Sequence, residues 1–254
     1  MLKGIIVAAT SLASFAAIAI GSSGIALAED QAPESYIYST YYQCDVTLQE
    51  RSDEIVQELQ KPLWDAAVGD GSIAGWGWAA HQTGGQWRRV QYFRAGSIEA
   101  LLAAQKKIGD QADAKNRKLT TEFGKICNSH DDYIWRAVAG KGNEGSRGGA
   151  GFSVYYVCDV GREDEADALV KQVFAPVYDR MVADGTLKSW GWNEHIVGAR
   201  YRRLATITAA DVGALMKARA AIVAAMDKNP LQHTFDTICG SHADYIWEIK
   251  SETP

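Results

Sequence analysis

Tryptophans, a histidine and an arginine pair recur in one order at two places in the chain. "GWGWAAHQTGGQWRR" runs from Gly75 to Arg89, and "SWGWNEHIVGARYRR" from Ser189 to Arg203. An imidazole at His81 or His195 can serve as general base, proton shuttle, haem ligand or metal ligand, or can simply fix a hairpin turn. Of the arginines Arg88, Arg89, Arg202 and Arg203, one left without a carboxylate partner can hold a substrate carboxylate or an enolate oxygen. Trp76, Trp78, Trp190 and Trp192 can stack a flat organic molecule as a pocket wall, or fill a core as large aromatic rings do elsewhere. Two further histidines, His130 and His242, each follow a cysteine by three residues and precede Asp132 or Asp244 by two. They read as residues that orient the start of a strand and as reserve candidates for an axial haem ligand. His233 has no counterpart and reads as surface. HExxH, CxxC and CxxCH are all absent, as are a serine elbow, a phosphate loop and a nucleotide fingerprint, so no metal site is expected.

These residues sit in a chain that repeats itself. "YYQCDV" (41–46) matches "YYVCDV" (155–160), and the tryptophan, histidine and arginine motifs match at the same separation of 114 residues. "CNSHDDYIW" (127–135) matches "CGSHADYIW" (239–247) at 112, so two residues differ between the copies near the end of the second helix. A period of this length is a domain, too long for a solenoid unit. The expected layout is a first repeat over 35–138, a Gly-rich flexible linker over 139–151, and a second repeat over 152–250.

Each copy shows the same order of elements. "YIYSTYYQCDV" and "FSVYYVCDV" are aromatic and β-branched strands. "SDEIVQELQKPLWDAAV" and "EADALVKQVFAPVYDRMV" carry helical periodicity, with Pro62 and Pro176 predicting a kink or a break. Two strands follow, then a helix capped by Ser97 or Asp211, then a last strand "DYIW". The order βαββαβ is the ferredoxin-like arrangement, an α+β fold. Strand alternation puts Tyr41, Gln43 and Asp45 on one face, with Tyr155, Val157 and Asp159 in the same place in the second copy. That face is where two sheets meet, and Tyr41 and Tyr155 join the candidate ligand-binding set. Trp76 and Trp78 share a face, with His81 on the opposite one or on the turn beyond. Asp45 and Asp159 are the expected partners of whichever arginine points inward.

Antiparallel pairing of the first and last strands brings Cys44 to Cys127 and Cys158 to Cys239. Four cysteines allow three pairings, and one bridge per copy at matching positions favours these two as structural disulfides.

Element order, duplication and the internal signatures "YYxCDV", "WGWxxH" and "CxSHxDYIW" resemble the dimeric α+β barrels. The resemblance runs from Tyr36 to Lys250. It implies two ferredoxin-like units with sheets face to face, here joined in one chain as a pseudo-dimer. The family includes cofactor-independent monooxygenases, haem-dependent chlorite dismutases and peroxidases, and small binding proteins, so it implies a fold and several functions.

The 254 residues are 47% hydrophobic and 22% charged, a globular composition. Lys3, the apolar run "GIIVAATSLASFAAIAI" and "ALA" at 26–28 read as a cleaved signal peptide over 1–28, which predicts a periplasmic or secreted protein with no membrane anchor after processing. Cleavage leaves 25 basic and 31 acidic residues, a net charge of −6 that does not suit nucleic acid as a partner. Three functions are then expected to compete. The first is an exported protein that binds a small hydrophobic or aromatic molecule without a cofactor. The second is an oxidoreductase, either cofactor-independent and monooxygenase-like or haem-dependent. The third is a structural or protein-interaction module of the cell envelope, with the duplication replacing a homodimer.

Overall fold

The computed structural model describes residues 35–143 and 145–253; the expected signal segment 1–28 lies outside them. The first copy contains β1 (Tyr36–Gln43), α1 (Gln49–Ile55), α2 (Lys61–Gly69), β2 (Gly75–Thr83), β3 (Arg89–Ala95), α3 (Ile98–Ile126) and β4 (Ser129–Gly142). The second contains β5 (Ala150–Val157), α4 (Glu163–Leu169), α5 (Ala175–Ala183), β6 (Ser189–Val197), β7 (Arg203–Ala209), α6 (Val212–Met226), α7 (Pro230–Ile238) and β8 (Ser241–Glu252).

Eight antiparallel strands close into one barrel in the order β1-β3-β2-β8-β5-β7-β6-β4. Within each copy the sheet has the ferredoxin-like order, and each copy leaves two edges unpaired by its own strands. β2 pairs with β8 and β6 pairs with β4, so each copy closes the other's sheet. Closure removes exposed edges, which are the usual liability of an isolated sheet. The fold is therefore α+β, a pseudo-dimeric barrel of two ferredoxin-like repeats.

The proline-bearing helices neither break nor kink sharply. A single π turn, Val56–Gln60 or Val170–Phe174, joins α1 to α2 and α4 to α5, and Pro62 and Pro176 sit in the first turn of the helix that follows. There the missing proline N–H is tolerated. Ser97 and Asp211 cap α3 and α6 as expected, accepting from the backbone N–H of Ala100 and Ala214. The length difference between copies falls where α3 kinks at Asn116, and where α6 ends and Asn229 caps α7.

The expected flexible linker is corrected. Residues 139–142 belong to β4, where Ala139 to Gly142 pair with Trp192 to Ser189, and β5 begins at Ala150. Between them, the Arg147 backbone N–H donates to Glu252 at 2.7 Å, and its guanidinium lies 5.4 Å from the Tyr92 ring and bonds the Tyr92 hydroxyl. The glycines suit the turn, while Arg147 pins it. β8 also runs to Glu252, slightly past the expected end of the second repeat.

Both disulfides form as read, Cys44–Cys127 and Cys158–Cys239. Beside each, a backbone bond ties the end of the first strand to the last helix, from Asp45 to Ile126 at 2.8 Å and from Asp159 to Ile238 at 2.9 Å. Apolar side chains gather in three layers: between helices and sheet of the first copy, between helices and sheet of the second, and inside the barrel.

Candidate functional site

Strand alternation divides the motif residues between the two faces of the barrel wall. The inner face is filled. Tyr41 and Tyr155 point inward, each 1% exposed, and their rings meet edge to face at 5.4 Å. Trp87 and Tyr201, just before β3 and β7, complete the plug. Trp87 stacks on Tyr41 at 4.3 Å and on Tyr245 at 5.0 Å, and donates its indole N–H to Asp131 at 2.6 Å. Burial pushes the Tyr41 hydroxyl up to about 12 and holds Tyr155 well above its ordinary range, so both stay neutral donors. Tyr41 and Tyr155 therefore pack against protein rings instead of lining a space for a ligand. Trp87 and Tyr201 carried no sequence signal beyond their matching place one or two residues before the arginines.

The tryptophan pairs lie on the outer face, beneath the helices. Trp76 and Trp78 donate their indole N–H groups to Asp65 (3.0 Å) and Asp53 (2.8 Å), and Trp190 and Trp192 donate to Asp179 (2.8 Å) and Asp167 (2.7 Å). The π turn explains why one helical face supplies both carboxylates. Asp53 and Asp65 are twelve residues apart, and one residue absorbed by the wider turn leaves roughly eleven, close to three α-helical turns.

The inward-partner expectation for the arginines is corrected by the same network. Arg89 and Arg203 lie under the helices and are clamped by Asp53 (2.7 Å and 2.7 Å) and Asp167 (2.8 Å and 2.9 Å). Asp45 and Asp159 lie beyond the ends of β1 and β5, exposed, where they bond Thr47 and Gly161 instead. Their strands stop two residues too soon for the alternation to continue.

Arg88, His81 and Trp247 form a row across β3, β2 and β8 on the inner face. The His81 backbone N–H bonds the Arg88 carbonyl at 3.0 Å, and His81 pairs with Trp247 across the strands. Arg202, His195 and Trp135 form the matching row across β7, β6 and β4. In the second row Arg202 bonds Glu163 at 2.6 Å and His195 Nδ1 at 2.8 Å. Both imidazoles are held below their ordinary value of 6.5, first by burial and then by the adjacent arginine charge. The unfolded chain therefore binds protons first, and stability falls as pH drops below about 6.5. Urea midpoints measured at pH 7.5 and pH 5.5 should fall on acidification in wild type, and fall less in the His81→Gln/His195→Gln variant.

His130 and His242 sit half-exposed at the starts of β4 and β8, 3.1 Å from Asp132 and 3.6 Å from Asp244. His233 lies on α7 and has no part in either row.

One cleft opens in the helix–sheet layer of the second copy. Trp190, Trp192, Tyr156, Phe174, Tyr178 and Phe235 line it, with Ala205 on its floor. Its empty space is about 330 Å3 with the solvent-facing mouth included. Ala205 stands across from Trp192 where the first copy has Gln91 across from Trp78. Gln91 is buried, and Ala205 in its place puts no side chain beyond Cβ beside Trp192.

The cleft offers a haem no histidine ligand. His81 and His195 lie on the opposite face of the sheet. Among the described residues no group of three or more His, Cys, Asp or Glu side chains is placed to hold a metal ion.

No protein-family model matches the chain, and no curated protein matches it in sequence. Solved structures match it in fold. A provisionally named monooxygenase from Lactobacillus acidophilus NCFM superposes with a TM-score of 0.60 at 7% identity, covering 86% of this chain and 95% of that one. A provisionally named monooxygenase from Fusobacterium nucleatum gives 0.60 at 10% identity, covering 87% and 94%. A chlorite dismutase variant from Candidatus Nitrospira defluvii gives 0.55 at 9% identity, covering 85% and 91%. At these identities the likeness is one of fold, the dimeric α+β barrel.

Proposed function

We propose that the protein binds a small hydrophobic or aromatic molecule in the helix–sheet cleft of its second repeat. The observation that carries this reading is the contrast between Ala205 and Gln91. The two layers also differ at Gln60 and Phe174, Trp64 and Tyr178, Tyr92 and Thr206, and Phe93 and Ile207, and Ala205 is the change that removes a long side chain from beside Trp192. Trp190 and Trp192 are oriented by Asp179 and Asp167, so their rings are fixed before any ligand arrives. Entry requires the wall to move, and Phe174, at the end of the π turn, is the side chain placed to swing out. Wide turns of this kind occur often at functional sites.

The oxidoreductase readings draw support from the fold neighbours alone. In this chain the aromatic wall and the two histidines face opposite sides of the sheet, so a molecule held by Trp190 and Trp192 is out of reach of His195. An export signal over 1–28 and two disulfides support a periplasmic or secreted location. No helix of the described residues is long and apolar enough to cross a membrane.

Ala205→Gln, which copies the first repeat into the second, tests the binding site. In 19F NMR, 1-fluoronaphthalene should broaden and shift saturably with wild type. With Ala205→Gln its affinity should fall by roughly tenfold or more, a loss of about 1.4 kcal/mol, while far-UV circular dichroism stays unchanged. Equal binding by both proteins, or none by wild type, overturns the site.

A further inference from the structure

Comparing the two inner rows reveals an unmatched cation. At the head of α4, Glu163 neutralises Arg202 and also lies 3.1 Å from Arg203. The matching residue 114 positions earlier is Gln49, which is neutral and gives its side-chain oxygen to Arg89 at 3.1 Å. Among the described residues no ion pair joins Arg88 to a carboxylate. Its Nε is buried and bonded to nothing in the structure. The ring nitrogens of His81 and the indole nitrogen of Trp247 have no partner of good geometry among the described residues, although the Gly84 backbone faces the imidazole; Trp135 Nε1 and His195 Nε2 are also without one, so Arg88 is what sets the first row apart. In the second row Glu163 bonds Arg202, which bonds His195 Nδ1 in turn.

Three side chains that can each donate an N–H thus lie on adjacent strands of one face. Cross-strand neighbours stand about 4.5–5.5 Å apart at their Cβ atoms, close enough for donors on both sides of His81 to reach one small acceptor. Buried donors without acceptors are rare, because each forfeits its hydration. The row also lies next to the exposed end of β2 and the turn beyond it (Gln82 to Gln86), so a small solute can reach it.

We propose that Arg88, His81 and Trp247 form a binding site for a small planar oxyanion, a carboxylate group above all, and that the second copy's equivalent site is closed by its own Glu163. Arg88 supplies the charge and a fork of N–H donors, while His81 and Trp247 supply one N–H each. The site lies on the opposite sheet face from the cleft and does not depend on what the cleft binds.

The test uses formate, the smallest carboxylate, at constant ionic strength. Formate should shift the Trp247 indole N–H and the His81 ring signals saturably in NMR spectra of the wild-type chain, and nitrate should compete. Gln49→Glu places a carboxylate beside Arg88 as the second copy does, and should lower formate affinity by about tenfold or more. Glu163→Gln should open the second site, so that Trp135 and His195 begin to respond. Circular dichroism confirms that each variant is folded. A wild-type chain without a saturable response, or a Gln49→Glu variant that responds as wild type does, overturns the proposal. A Glu163→Gln variant that gains no response at Trp135 and His195 overturns the claim that Glu163 closes the second site.

Discussion

Asp53→Asn should unfold at a much lower temperature than wild type, and should cost more than the matching Asp167→Asn. Arg89 and Arg203 have side chains only 4% and 2% exposed, and each is gripped by a helical aspartate that also accepts an indole N–H. Removing one charge of such a pair leaves the other buried and uncompensated, at roughly 3–5 kcal/mol. For a chain of this size that is on the order of 6–20 °C in Tm. The copies differ in what remains. Arg203 keeps Glu163 at 3.1 Å, whereas Arg89 keeps only the neutral Gln49 and backbone carbonyls. Thermal unfolding of the two single variants measures the difference directly. Equal losses would mean that Glu163 does not share the Arg203 charge, and a negligible loss in both would contradict the clamp itself.

Removing either disulfide is the second large effect. Cys44–Cys127 and Cys158–Cys239 close loops with sequence separations of 83 and 81 residues. Chain-entropy arguments give about 4–5 kcal/mol for loops of this length. The two bridges lie at matching places, so Cys44→Ser/Cys127→Ser and Cys158→Ser/Cys239→Ser should each lose a similar amount in guanidinium unfolding. Reductant should lower the midpoint of the wild-type protein by more than either double variant does alone. Unfolding curves that do not respond to reductant would show that the bridges contribute little to stability.

Much of the frame was legible in the sequence because it rests on short-range rules. Period-two alternation placed Tyr41 and Tyr155 on the inner face and set His81 opposite Trp76 and Trp78. The duplication identified equivalent positions, and the strand order paired the cysteines. Failures arose where a side chain's partner is set by where an element ends. Asp45 and Asp159 were expected inside because the alternation was carried past the last strand residue. The true partners, Asp53 and Asp167, recur 114 residues apart just as the tryptophans do. That shared offset was the signal that could have found them. Asp65 and Asp179 were harder, since their spacing fits one helical face only once a π turn absorbs a residue. The linker misled through its glycines: composition cannot show that Arg147 has a tyrosine ring waiting for it.

The site was legible only in part. The sequence singled out the tryptophans as ligand candidates and let them act together with the histidines, whereas the barrel wall separates the two sets. Among the differences between the copies, two carry the proposed sites, Gln91 against Ala205 and Gln49 against Glu163. Neither stands out in a motif, and each acquires meaning only when the two layers are superposed through the register of their strands.

The claim that the aromatic-lined cleft of the second repeat binds an aromatic molecule is tested most directly by the indole N–H signals of the eight tryptophans in 15N-labelled protein titrated with 1-fluoronaphthalene. The predicted result is a saturable shift at Trp190 and Trp192, with Trp76 and Trp78 unmoved. Equal shifts in both pairs, or shifts confined to Trp135 and Trp247 on the inner face, would contradict it.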